Sequence, residues 1–240
     1  MGARSPILRA VCGVLALAVA GTPAACGAGP DASAPLRMPV AVDTDLGADD
    51  FVALQYLLGR RDVDVVAVTV VGDGLVRCPV GGVHARAVLA AAGRPDIPVA
   101  CGTDRPLAGT AAFPSSWRDR SDALYGMTGW RAPAGPAAAA DPVALLTDAA
   151  HDHPGLRVLA LGPLTTLALA LRRPAFAAAR PRIVVSGGAV DEPGNMPPVG
   201  SGPPVAEWNI GVDPVAADAV LRSGRTELWA TLDATDDVPA

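Results

Sequence analysis

Residues 39–50 read PVAVDTDLGADD, an apolar run followed by four aspartates within eight residues. The apolar run predicts a buried strand that ends at Asp43. Residues 51–58 have apolar side chains at helical spacing, so they predict a helix directly after the aspartates. This unit therefore carries its acidic side chains at the carboxyl end of a strand.

Apolar runs and helix-like segments alternate along the rest of the chain. Further strands are predicted at 63–71, 97–100, 156–161, 183–186 and 226–232, and helices at 80–92, 142–150, 164–171 and 214–222. Asp141 is the predicted N-cap of the helix at 142–150. Residues 103–140 and 189–212 are predicted to be irregular. This alternation predicts the α/β class, with an open, mostly parallel Rossmann-like sheet and helices on both faces. The loops after the strands should then converge on one crevice.

The aspartates Asp43, Asp45, Asp49 and Asp50 are the strongest candidate site. Like charges this close repel, and burial without partners is costly. A hard cation resolves the conflict, and calcium takes six to eight oxygen ligands from carboxylates, carbonyls and water. Gly47 permits the tight turn that lets both halves of the cluster face one point. A capped helix beside a solvated loop would explain one or two of these residues, but not all four.

The motif DTDLGADD after an apolar strand resembles the signature of the inosine-uridine-preferring nucleoside hydrolases. Further segments agree in order: VVGD at 70–73, LGPLTT at 161–166, GGA at 187–189, GN at 194–195, AEWNI at 206–210 and DP at 213–214. The similarity covers residues 39 to about 235. It implies the nucleoside hydrolase fold and calcium-dependent hydrolysis of the N-glycosidic bond of ribonucleosides to free base and ribose.

The resemblance also implies roles for individual residues. Asp45 would be the general base and a calcium ligand, and Asp50 and the backbone carbonyl of Leu161 would be further calcium ligands. Asp73 and Thr166 stand where the family usually has Asn. The residues that would hold the substrate ribose are Asp49, Asp73, Asn195, Glu207 and Asn209.

Members of that family extend further than this chain, which ends at Ala240. Their C-terminal part carries a His-Asp-Pro segment whose Asp completes the calcium shell and whose His helps protonate the leaving base in many members. The resemblance therefore implies a domain that is incomplete at its C-terminus. We expect weakened calcium binding and low or absent turnover, unless a partner chain supplies the missing ligands.

The N-terminal residues have the features of an export signal. Residues 1–25 predict a signal peptide, 26–38 a flexible tether, and 39–240 the hydrolase-like domain. Cys26 is the candidate lipid anchor, which would place the protein on the outer face of the cell membrane. Plain secretion and an uncleaved N-terminal anchor are the alternatives. Cys78 and Cys101 would lie in an oxidising compartment, either as a disulfide or as two buried thiols.

The overall charge disfavours a nucleic-acid partner. The chain has 24 acidic and 19 basic residues and a net charge of -5, and every basic residue is Arg. The expected partner is a small ribonucleoside, and a homo-oligomer is left open. Contact with a membrane is expected only through the lipid anchor.

Two other functions fit part of the sequence. A haloacid-dehalogenase-like phosphatase would use Asp43 and Asp45, but it usually needs a Lys, and the chain has none. A non-catalytic, surface-tethered protein that binds ribose or nucleosides would use the same ribose contacts without cleaving its ligand.

Overall fold

The computed structural model describes residues 37–129, 141–198 and 203–235. The predicted signal peptide and Cys26 lie outside these residues, as does nearly all of the predicted tether. The first strand starts at Met38, so it includes the last residue of that tether. None of the helices in the described ranges is long and apolar enough to span a membrane.

Six parallel strands form one sheet in the order β3-β2-β1-β4-β5-β6. The strands are β1 (Met38–Thr44), β2 (Val63–Val70), β3 (Val99–Cys101), β4 (Arg157–Ala160), β5 (Arg182–Ser186) and β6 (Thr226–Ala230). The chain builds outward from β1 to β3 on one side, then returns to build from β4 to β6 on the other. The two directions diverge between β1 and β4, so a crevice opens there beyond the strand ends.

Helices cover both faces of the sheet, as the alternation predicted. They are α1 (Ala48–Gly59), α2 (Val80–Ala91), α3 (Ser115–Asp122), α4 (Pro142–Asp152), α5 (Thr165–Leu171), α6 (Pro174–Ala179), α7 (Trp208–Val212), α8 (Pro214–Arg222) and α9 (Leu232–Thr235). Helices α1 and α2 pack on one face, and α4, α5, α6 and α8 pack on the other.

Strand β1 shows how the sequence produces this layering. Val40 and Val42 belong to the core under α1 and α2, whereas Ala41 belongs to the core under α4 and α5. Alternate side chains point to opposite faces of a strand, so a strand covered on both faces must be apolar at every position. The continuous apolar run therefore places β1 at the centre of the sheet.

The structure differs from the sequence prediction in the two segments predicted to be irregular. The segment 103–140 contains α3 and a 3₁₀ turn, Leu124–Gly126, and its residues 130–140 lie outside the described ranges. Helix α3 reads SSWRDRSD and lacks the apolar stripe that reveals a helix in sequence. Its contacts to the rest of the fold include the pairing of Arg77 with Asp119 and Asp122 and the packing of Trp117 against Trp208.

The segment 189–212 contains the short helix α7. A helix of five residues is too short to show a 3.6-residue period, so its apolar residues gave no signal. Helix α8, by contrast, has the predicted bounds, and Asp141 caps α4 by accepting hydrogen bonds from the amides of Val143 and Ala144.

A disulfide joins Cys78 to Cys101, which resolves the alternative that the sequence left open. Cys101 ends β3, and Cys78 lies two residues before α2. The bond closes a loop with a sequence separation of 23. It therefore ties the segment that follows β2 to the carboxyl end of the edge strand β3.

Candidate active site

The acidic motif lies at the crevice between β1 and β4. Asp43 and Thr44 are the last two residues of β1, and α1 begins at Ala48. The amide of Leu161, just after β4, donates to the Asp43 carbonyl at 2.8 Å. The two strand ends are thus joined at the point where the sheet topology opens a ligand site.

Asp45 is buried and held by backbone amides. The amide of Leu75 donates to its Oδ2 at 3.0 Å, and the amide of Gly47 donates to its Oδ1 at 3.3 Å. Gly74 and Gly162 pack against the same side chain. A Cβ at Gly162 would lie 2.8 Å from the Asp45 Cβ, and a Cβ at Gly74 would lie 2.8 Å from its Cγ. Only glycine at both positions lets the backbone approach Asp45 this closely.

Asp50 is the second buried carboxyl of the motif. Its Oδ2 accepts from the Thr44 hydroxyl at 2.5 Å and from the Gly47 amide at 3.3 Å, so it also stabilises the start of α1. Leu46 adopts φ 55°, an uncommon conformation for a residue with a side chain. Thr44 supports it, because its Oγ1 accepts from the Leu46 amide at 2.9 Å. Backbone strain of this kind is concentrated at functional sites.

Asp45 and Asp50 are two buried carboxyls whose charges affect each other. The amide of Gly47 donates to both of them, to Oδ1 of Asp45 and to Oδ2 of Asp50. Burial is the main cause that raises the pKa of both carboxyls, and the neighbouring negative charges add to it. The pair is therefore a place where a positive charge would be stabilised.

Asp43 lies beneath this pair. Its Oδ1 accepts from the Thr69 hydroxyl of β2 at 2.7 Å, whereas its buried Oδ2 has no hydrogen-bond partner among the described residues. Burial raises the pKa of Asp43 to about 7, although the Thr69 hydrogen bond opposes the shift and Asp73 and Asp45 add to it. Asp43 therefore extends the acidic cluster into the core.

The segment around α7 faces the motif from the other side of the crevice. The Asn209 amide donates from Nδ2 to the carbonyl of Leu161 at 2.9 Å and to that of Ser186 at 3.1 Å. Glu207 caps α7 by accepting from the amides of Asn209 and Ile210, and it also accepts from Gly188 at 2.9 Å. The predicted calcium ligand Leu161 and two predicted ribose contacts therefore belong to one connected group.

The other three predicted ribose contacts differ from one another in their exposure to solvent. Asp49 is exposed in the first turn of α1, and Asn195 is exposed and accepts from the Trp208 amide at 3.1 Å. Asp73 is buried and its Oδ2 lies 2.6 Å from the Thr165 hydroxyl. The ribose contacts of all three residues stay predictions.

The donors around Asp45 suit a hard cation in part. Carboxylate and carbonyl oxygens are the ligands that calcium prefers, and Asp45 and Asp50 supply two buried carboxyl groups. The Leu161 carbonyl is the third predicted donor. Across the described ranges, however, no group of three or more His, Cys, Asp or Glu side chains converges as a metal-ligand set.

Two residues near the cluster were missed by the sequence analysis. The Tyr125 hydroxyl contacts the Leu46 carbonyl at 3.5 Å and Ser121 at 2.8 Å, and burial together with the acidic cluster raises its pKa. Arg118 of α3 donates to the carbonyl of Gly72. Both lie in the segment predicted to be irregular, and an isolated Tyr or Arg there gives no sequence signal.

Fold and site together define a doubly wound α/β domain with buried carboxyls at its topological switch point. The sequence profile of the inosine-uridine preferring nucleoside hydrolases matches residues 40–240. The chain belongs to this family. Its membership leaves no support for the phosphatase alternative, and it accounts for the segments after β4 and β5 that a phosphatase would not explain.

Individual relatives agree with this placement. The chain is 37% identical to a probable uridine nucleosidase of Oryza sativa over 195 residues, which are 79% of this chain and 55% of that protein. A plant nucleoside hydrolase of known structure is 32% identical with a TM-score of 0.69, over 82% of this chain and 60% of that one. The inosine-uridine preferring nucleoside hydrolase of Bacillus anthracis is 27% identical with a TM-score of 0.67, over 85% and 67%. The chain thus spans little more than half the length of the curated relative.

The glycines around Asp45 give a prediction that needs no substrate. We expect Gly162→Ala to destabilise the protein by about 1–3 kcal/mol, because its Cβ would overlap Asp45 and one of the two must move. Gly59→Ala is the matched control, since a Cβ at Gly59 meets nothing within 4 Å. Chemical denaturation of the two variants measures the difference. Equal stability of both variants would show that Gly162 does not confine Asp45.

Proposed function

We propose that this chain hydrolyses the N-glycosidic bond of ribonucleosides to free base and ribose, with calcium as the cofactor. The observation that carries the proposal is the placement of Asp45: a buried carboxyl, whose charge and that of Asp50 affect each other, at the switch point of a nucleoside hydrolase fold. Uridine is the first substrate to test, because the relative from Oryza sativa is described as a uridine nucleosidase.

Asp45 is the proposed general base. Its fixed position, held by the amides of Leu75 and Gly47, suits a group that must accept a proton from one water molecule in one direction. That water forms the new bond to C1′ as the bond to the base breaks, and the water's second proton remains on the sugar as its hydroxyl. The departing base takes up a proton from solvent water, and Asp45 returns the proton that it accepted to solvent, so the enzyme is regenerated.

The acidic surroundings favour the transition state of this reaction. Cleavage of the glycosidic bond passes through a sugar with oxocarbenium character, which carries positive charge. We propose that the sugar binds beside the carboxyls of Asp45, Asp49 and Asp50. Negative groups held in place stabilise such a charge more than they stabilise the neutral substrate. Glu207, Asn195 and Asn209 are proposed to orient the ribose from the opposite wall.

Asp45, Asp50 and the Leu161 carbonyl are proposed to hold the calcium ion. When bound, the ion makes a coordinated water more acidic and fixes the ribose hydroxyls. The donor chemistry supports this assignment, and the mutual repulsion of the two carboxylates is the energetic reason for it.

The first prediction of the proposal concerns Asp45. Asp45→Asn keeps the size of the side chain but removes the proton acceptor, so we expect the release of uracil from uridine to fall by at least ~100-fold. Asp148→Asn on the exposed face of α4 is the control that removes one aspartate far from the motif in the sequence. Hydrolysis is followed by chromatography of free base, with inosine as a second substrate.

The same assay separates hydrolysis from simple binding. If the wild-type chain binds uridine or ribose in calorimetry but releases no base, the non-catalytic binder is the correct function. Full base release by Asp45→Asn would instead exclude Asp45 as the base.

Calcium binding is predicted to depend on the paired carboxyls. The described residues offer two carboxylates and one carbonyl, fewer than the six to eight oxygens that calcium takes, so we expect weak binding. In calorimetric titration with calcium chloride, Asp50→Asn should lower the affinity further, whereas Asp148→Asn should leave it unchanged. Equal affinity of wild type and Asp50→Asn would place any calcium elsewhere.

We further propose that the protein is exported and anchored through a lipid on Cys26, as the N-terminal sequence suggests. In a bacterial host with lipoprotein processing, the wild-type chain should incorporate a labelled fatty acid and fractionate with membranes. Cys26→Ser should lose the label and be released from the membrane fraction. A label retained by Cys26→Ser would contradict lipidation at this residue, and an unlabelled wild type would favour plain secretion.

A further inference from the structure

The Thr165 hydroxyl lies between two buried carboxyls. Its Oγ1 is 2.6 Å from Oδ2 of Asp73 and 2.7 Å from Oδ2 of Asp213. All three side chains are almost completely buried, with relative exposures of 0% for Thr165 and Asp213 and 1% for Asp73. The group joins the turn after β2 to the first residue of α5 and the residue before α8.

These two short contacts require two protons. A hydroxyl has one hydrogen, so Thr165 can donate to only one of the carboxyl oxygens. The other oxygen can lie at hydrogen-bond distance only if it carries a proton and donates to Thr165. If both carboxyls were ionised, one contact would instead be a repulsion between lone pairs in a buried site.

The remaining contacts assign the proton to Asp73. Asp213 accepts from the amide of Leu107 at 2.6 Å and from that of Ala216 at 3.0 Å, where it caps α8. Amide donors and a helix N-terminus stabilise an ionised carboxylate. Oδ1 of Asp73, in contrast, is buried and accepts no hydrogen bond from the described residues.

We propose that these residues form a proton-sharing chain, in which a neutral Asp73 donates to the Thr165 hydroxyl and that hydroxyl donates to an ionised Asp213. The chain makes Asp73 a positioning residue for Asp45. Asp73 precedes Gly74, which packs against the Asp45 side chain, and Leu75, whose amide donates to Asp45. The consequence for catalysis, though not the chain itself, rests on the proposed function of Asp45.

The proton-sharing chain makes the free energy of unfolding depend on pH through Asp73. Burial is the largest cause that raises the pKa of Asp73, to about 6, and the Asp213 charge adds to it. A hydrogen bond donated by the Thr165 hydroxyl to an ionised Asp73 would oppose the shift, as does the positive charge of Arg118 on α3. Asp43 of β1 is the other charged neighbour. Since the folded pKa exceeds the unfolded value, the stabilisation is complete below about pH 4 and is lost as the pH rises through 6.

The replacement Asp73→Asn tests the chain. An asparagine presents an N–H donor to Thr165 at every pH, so it mimics the neutral carboxyl without titrating. Between pH 4.5 and 7.5, we expect the unfolding equilibrium constant of the wild type to rise roughly 25-fold relative to that of Asp73→Asn. Chemical denaturation at several pH values gives this ratio. Asp45 and Asp50 titrate in both proteins, so their contributions largely cancel. The pKa of Asp43 is lower in Asp73→Asn, because the Asp73 charge that raises it is absent, and this adds to the difference in the same direction.

Two substitutions at Thr165 test the link itself. Thr165→Ser keeps a hydroxyl and should retain the wild-type response to pH. Thr165→Val removes the hydroxyl and should be destabilised at pH 5. Asp148→Asn again serves as the control, because it removes an exposed aspartate and should follow the wild-type curve. Parallel curves for wild type and Asp73→Asn, or full stability of Thr165→Val at pH 5, would overturn the proposal.

An activity measurement then addresses the positioning of Asp45. The ratio of the wild-type rate of base release to that of Asp73→Asn should fall as the pH rises from 5 to 7.5. Thr165→Ser keeps the hydroxyl, so its rate should depend on pH as the wild-type rate does. A ratio that does not change with pH would show that Asp73 does not position Asp45. If neither the wild type nor any variant released base at any pH, the proposed hydrolase function would fail. The denaturation curves would still decide whether the proton-sharing chain of Asp73, Thr165 and Asp213 exists.

Discussion

Burial of acidic side chains around the end of β1 is the constraint on which the site depends. Asp43, Asp45, Asp50 and Asp73 are all almost inaccessible to solvent, and none of them forms an ion pair within the described ranges. Hydroxyls and backbone amides donate hydrogen bonds to these carboxyls instead, and burial raises their pKa values, which favours the neutral form. Neutral donors stabilise a carboxylate less than a cation does, so the cluster remains ready to bind positive charge.

The same constraint explains the glycines near the site. A carboxyl held by backbone amides needs the backbone within hydrogen-bond distance, and a Cβ at Gly74 or Gly162 would occupy that space. The turns after β2 and β4 therefore close on Asp45 from both sides. Parallel strand order brings these turns together, since the carboxyl ends of neighbouring strands lie at one edge. The strand order brings the two turns near Asp45, and the absence of a side chain at Gly74 and Gly162 lets their backbone contact it.

The sequence predicted the parts of the molecule that repeat a physical pattern. The continuous apolar runs gave the central strands, and the apolar periodicity with Pro214 at the start and Gly224 beyond the end gave α8 its correct bounds. The density of aspartates predicted the candidate site, and the structure buries three of the four, Asp43, Asp45 and Asp50; their roles stay predictions. Helix α3 could not be predicted, because its sequence lacks an apolar stripe and its contacts to Arg77 and Trp208 come from distant segments. The pairing of Cys78 with Cys101 depends on their distance in space, which the spacing of residues in the sequence does not reveal.

The proton-sharing chain from Asp73 to Asp213 is another feature that the sequence alone could not predict. Each residue alone has an ordinary local explanation: Asp213 caps α8, Thr165 begins α5, and Asp73 lies in a turn. The chain exists only because the sheet brings three separate segments to one point. The raised pKa of Asp73 is then linked to the capped N-terminus of α8, since the helix keeps Asp213 ionised and the ionised Asp213 accepts the hydrogen bond that the Thr165 hydroxyl donates. The proposed chain links the starts of α5 and α8 to the turn that packs against Asp45, so we expect the stability of these helix ends and the position of Asp45 to change together.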